Sequence, residues 1–136
     1  MWIFTQHGFF SVVRGDDTIL PDGSSEPTVQ VRARYRQHLE ELRVRFPEQL
    51  GEAQVIAYDD PAYEEEYRDR DYEYRLFMPE PVWQELATAL AADVTYSNFK
   101  GRVHARAHET RLSETPYMDQ LYGVYDRMTN RDRHPW

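Results

Sequence analysis

Two periodicities alternate along this 136-residue chain, and the points where one gives way to the other mark out its elements. In "TVQVRAR" Val29, Val31 and Ala33 alternate with Gln30, Arg32 and Arg34, a period of two that places the apolar set on one face of a strand. Before it, "WIFT" and "FFSVVR" are rich in aromatic and β-branched residues and predict two strands, separated by "QHG", where Gly8 permits a bend or bulge. "GDDTILPDGSSEP" reads as a turn-rich loop. From Tyr35 the spacing lengthens. Tyr35, Leu39, Leu42 and Phe46 recur along one face of a helix that Pro47 and Gly51 bring to an end. "AQVIAY" is a further strand, and "YEYRLFM" returns to alternation with Tyr72, Tyr74, Leu76 and Met78 on one side. These two strands predict a hairpin.

Helical spacing resumes in "PEPVWQELATALAADV", with Pro81 in the first turn and Val82, Trp83, Leu86 and Leu90 along one stripe. "TYSNFKGRVHARAH" predicts a turn and a third helix starting near Asn98: Ser97 and Asn98 are good capping residues, and Phe99 and Val103 share a face. A fourth helix follows Thr115 and Pro116, with Met118, Leu121, Tyr122, Tyr125 and Met128 as its stripe. The order is ββαββα plus two helices. It predicts an α+β domain with a four-stranded, mainly antiparallel sheet, ferredoxin-like or a related split arrangement, and helices on one face. Residues 1–130 form a single domain in this reading, and 131–136 a polar C-terminal tail. If the two late helices cover the second face of the sheet, its outward residues are partly buried; otherwise that face is an open platform.

Composition narrows the chemistry. The absence of cysteine removes thiol nucleophiles, Cys-ligated zinc and disulfides together. The opening "MWIFTQHGFF" lacks the marks of a signal peptide, and the longest apolar stretch, around "LATALAADV", is far short of a membrane span. The expectation is a soluble, cytoplasmic protein with no membrane partner. Residues 59–73, "DDPAYEEEYRDRDYE", hold eight acids against Arg68 and Arg70, and so supply minus six of the formal minus eight. Such a run repels itself and belongs in water. The acidic balance argues against sequence-independent nucleic-acid binding.

Candidate sites are few. His104 and His108 stand at i and i+4, so their imidazoles share a helix face, but a zinc site needs a third ligand and only Glu109 or Glu114 is at hand, with Arg106 close by in sequence. No metal or cofactor is expected. Lys100 is the only lysine among sixteen basic residues. With Asn98, Arg102, His104 and His108 it marks a helix start suited to an anion or a partner. Arg32, Arg34 and Arg75, with Phe10 or Phe77, mark a basic, aromatic sheet face of the type that binds single-stranded nucleic acid. Neither a nucleophile-elbow motif nor a glycine-rich phosphate loop is present.

"MWIFTQHGFFSVV", "VQVRAR" and "VTYSNFK" together resemble a group of small uncharacterised bacterial proteins that open on this strand and carry an N-F-K segment after an amphipathic helix. "YMDQLYGVYDRM" is similar in pattern. The resemblance implies no activity and assigns no residue a role. The functional expectation is a non-catalytic binding or regulatory module whose partner is a protein, with Tyr117, Tyr122 and Tyr125 as contact residues and a homodimer as one form of that binding. Its rivals are a hydrolase or nuclease using Lys100, His104 and His108, and nucleic-acid binding on the arginine face.

Overall fold

The computed structural model describes residues 1–58, 60–61 and 71–129. The polar tail at 131–136 and most of the acidic run lie outside them. The class is α+β, as the alternation of periods predicts, but the main sheet has five strands and not four. They are β1 (Trp2–Thr5), β2 (Gly8–Arg14), β5 (Thr28–Ala33), β6 (Ile56–Ala57) and β7 (Tyr74–Pro79), arranged β1-β2-β5-β7-β6 and antiparallel throughout. The turn-rich loop contains a small separate hairpin, β3 (Thr18–Ile19) with β4 (Ser25–Glu26).

β1, β2 and β5 form a meander. The chain then crosses through α1 (Arg36–Arg45) and the short α2 (Pro47–Leu50) to β6, and returns along β7. Both β5 and β6 run antiparallel to β7, so they are parallel to each other with β7 between them, a split β-α-β unit. The expected hairpin of "AQVIAY" with "YEYRLFM" forms, though β6 is only two residues long. Pro47 opens α2 as well as closing α1, because a proline lacks only an amide that a first helical turn leaves unbonded.

One sheet face carries the core. Phe10, Val12, Val29, Val31, Ala33, Leu76 and Met78 point to it and meet Leu39 and Leu42 of α1 and Leu86 and Leu90 of α3 (Glu80–Ala92). Phe10 therefore belongs to the core, not to the arginine face as expected. Tyr72 also departs from its predicted side: it precedes β7 and lies under Arg32, whereas Tyr74, Leu76 and Met78 pack with the core.

The late helices, α4 (Phe99–Ala107) and α5 (Tyr117–Thr129), flank a short 3-10 turn at Arg111–Glu114 and build a second cluster of Val103, Leu112, Tyr117 and Leu121. Phe9 of the outward sheet face packs against that cluster, so these helices cover one end of the second face while Phe77 stays exposed. The stripe predicted for α5 is only partly a core stripe. Tyr117, offered as a surface contact, is buried, and Tyr122, Tyr125 and Met128 are open to solvent, Met128 at 80% exposure. Among the described residues no helix is long and apolar enough to cross a membrane.

Candidate functional site: a strand-edge groove braced by a buried polar hairpin tip

The turn Thr5-Gln6-His7-Gly8 joins β1 to β2, and three of its side chains, Thr5, Gln6 and His7, are buried. Thr5 shapes the turn locally. Its hydroxyl donates to the Gly8 carbonyl at 2.9 Å and accepts from the His7 amide at 3.0 Å. Gly8 adopts φ +142°, and a Cβ there would fall 2.4 Å from Cγ of His38, so the position requires glycine for its backbone and for the ring beside it.

Buried polar groups need partners, and the helices supply them. Arg102 donates to Gln6 Oε1 at 2.9 Å, and Arg106 donates through Nε to the Gln6 carbonyl at 3.0 Å. Arg106 also approaches Nδ1 of His7 at 3.2 Å and the carboxylate of Glu41 at 3.6 Å. On the other side of the His7 ring, Nε2 lies 3.7 Å from Asp93. An arginine can only donate, so its contact fixes Nδ1 as the acceptor and leaves the proton on Nε2, facing the carboxylate. Asp93 sits at the C-terminal end of α3, where the helix dipole disfavours an acid. Arg45 offsets this with two bonds of 2.8 and 2.9 Å and holds the Asp93 carboxyl below the usual carboxylate range. Burial, reinforced by Arg106, lowers His7 to about 4 against the opposing pull of Asp93.

His38 completes the brace from α1. Its Nδ1 accepts from the Phe9 amide at 3.2 Å, and Nε2 lies 3.3 Å from the Thr115 hydroxyl, whose own proton goes to the Leu112 carbonyl. That pattern is consistent with one neutral tautomer, with the proton on Nε2, and burial lowers His38 to about 4. Tyr117 packs on the His38 ring and donates to the Thr5 carbonyl at 2.8 Å; burial pushes its phenol well above its ordinary range.

The braced hairpin presents β1 as the terminal strand of the sheet. Met1 and Val12 exchange both backbone bonds, at 2.7 and 2.8 Å, and antiparallel pairs alternate, so Ile3↔Phe10 is the next bonded pair. Trp2 and Phe4 consequently direct their N–H and C=O groups outward, along an edge that no other described strand pairs. Beside that edge runs a groove of about 530 Å³. Trp2, Ile3 and Phe4 form one wall, and the start of α4 with Leu121, Val124 and Tyr125 of α5 forms the other.

The residues singled out in the sequence divide among several places. Asn98 caps α4 by accepting from the Gly101 amide at 2.9 Å, and it lines the groove with Lys100. The Lys100 ammonium lies 3.6 Å from the ring centroid of Tyr125 and 4.9 Å from that of Tyr122. Arg102 turns instead to the hairpin tip, and His104 and His108 face each other on the exposed side of α4. On the sheet, Arg32 bonds Ser11 at 2.6 Å over the Tyr72 ring, and its register partner Arg75 is buried, bonding Gln30 over Tyr58. Arg34 is exposed beyond the end of β5. Gln6 and His7, central to the brace, carry no local signal, since a polar dipeptide in a tight turn reads as solvent-facing. Among the described residues no group of three or more His, Asp or Glu side chains converges as a metal site.

No family model, curated protein or solved structure matches this chain.

Proposed function

We propose that this protein is a non-catalytic, cytoplasmic binding module that takes an extended segment of another protein into the groove between β1 and the α4–α5 pair. The segment adds to the sheet edge, bonding the outward N–H and C=O groups of Trp2 and Phe4. It lays apolar side chains against Phe99, Leu121 and Val124, and brings a carboxylate to Lys100. Strand addition of this kind draws affinity from main-chain hydrogen bonds and selectivity from the pockets beside them. A groove of about 530 Å³ is of the size that holds a specific ligand.

Lys100 carries the reading. Among the described residues its ammonium enters no ion pair and rests on tyrosine faces at the groove. A cation so placed is best complemented by an acidic group arriving from outside. Arg32 and Arg75 are engaged with neighbouring rings and polar side chains, which weighs against the arginine face as a nucleic-acid platform.

Selection from a displayed random-peptide library tests this. The expected winners alternate apolar residues and carry Asp or Glu. Lys100→Glu should weaken them at least about tenfold, the worth of one charge-assisted bond. Phe4→Pro removes one outward amide at an edge that tolerates proline, so it should cost more than Phe4→Ala. Concentration-dependent dimers abolished by the same changes would assign the groove to a second copy. Winners without acidic residues, indifferent to Lys100→Glu, would sink the proposal.

A further inference from the structure

On the exposed side of α4, away from the hairpin tip, the Nε2 atoms of His104 and His108 lie 3.3 Å apart. Two zinc–nitrogen bonds of about 2.0–2.1 Å at a tetrahedral angle span about 3.3–3.4 Å, whereas a square-planar right angle spans only about 2.9 Å. The separation matches that of two nitrogens on one tetrahedral ion, which would replace the hydrogen bond the two rings now share.

The charge around the pair also permits a cation. Arg106, the residue that sequence proximity sets against a metal, is turned to Gln6, His7 and Glu41. Arg102 is bonded to Gln6, Arg111 to Glu114, and Lys100 lies over the rings of α5. The arginines of this segment are thus each committed to another partner, and Lys100 is held over the tyrosine rings of α5.

We propose that His104 and His108 form a two-histidine chelate for a divalent ion of the zinc class, with the remaining coordination positions open to water or to a ligand from outside the chain. Both imidazoles bind through Nε2 as neutral rings with the proton on Nδ1. The inference is independent of the groove, which uses different side chains.

Equilibrium dialysis of chelator-treated protein against zinc sulfate reads the stoichiometry. We expect one ion per chain, and at least about tenfold weaker retention in both His104→Ala and His108→Ala, since loss of even a supporting group costs that much. Alanine at the exposed His104 and at the His108 C-cap preserves the helix, checked by circular dichroism. His134→Ala serves as the control and should leave retention unchanged. Cobalt in place of zinc should give the intense visible absorption of a tetrahedral site. No retention at millimolar zinc, equal retention by either α4 variant, loss in the His134→Ala control or a six-coordinate cobalt spectrum would each overturn the proposal.

Discussion

Lowering the pH from 7 to 5 should remove a large part of this protein's stability, because two buried imidazoles must stay neutral for the fold to hold. His7 and His38 are about 2% and 1% exposed, and burial depresses both from 6.5 to about 4. The unfolded chain therefore takes up protons first as pH falls through 6.5, and the folded chain follows only near 4. Stability from these rings is complete above 6.5 and is lost progressively between 6.5 and 4. Over the interval from pH 7 to pH 5 each ring costs about 2 kcal/mol, and the pair about 4 kcal/mol. Set against a typical total of about 5–15 kcal/mol, this is a quarter or more of the whole. Asp93 does not blur the reading, since Arg45 holds its carboxyl below the ordinary carboxylate range. Urea unfolding across the pH series measures the loss, with the slope on denaturant held constant as the check on two-state behaviour. His38→Gln should halve the pH dependence, and imidazole NMR should show two rings still neutral at pH 5. A stability change below about 1 kcal/mol between pH 7 and pH 5, or an undiminished dependence in His38→Gln, would refute the assignment.

Two further outcomes probe the same brace. Gly8→Ala sets a Cβ into the His38 ring at a backbone angle that alanine resists, and should cost more than about 2 kcal/mol in the same denaturation assay. Tyr117→Phe keeps the ring packing and leaves the Thr5 carbonyl without its phenolic donor, so a loss of about 1–2 kcal/mol is expected with little change in near-ultraviolet dichroism.

The alternation in "TVQVRAR" and the spacing of Leu39 and Leu42 made the core face and its covering helix legible, because period alone decides which side chains share a face. Asn98 as a cap was legible for the same reason: capping is chemistry between residues three apart. What periodicity cannot convey is which neighbour covers an apolar stripe. Met118, Leu121, Tyr122, Tyr125 and Met128 read alike, yet only Leu121 of these is buried, since α5 meets the rest of the protein along the line of Tyr117 and Leu121. Gln6, His7, Glu41 and Arg106 were opaque for a stronger reason. Each is an ordinary surface type, and the burial of Gln6, His7 and Glu41 beside a half-buried Arg106 depends on helices far away in sequence. The division of the expected anion site has the same origin: Arg102 has a buried glutamine to bond, and Lys100 has two tyrosines.

The tie between the Tyr117 hydroxyl and the Thr5 carbonyl spans 112 positions, and that between Arg106 and Gln6 spans 100. The Thr5–Gly8 turn is therefore closed by helices synthesised about a hundred residues after it. Until α4 and α5 exist, Gln6 and His7 lack their contacts with Arg102 and Arg106 and keep only those to the Asp93 end of α3. Completing the brace at the hairpin tip requires closing these long loops, a step that contributes late, non-local contacts. The groove beside β1 gains its second wall only at that step, so a half-made chain has the strand without the cleft.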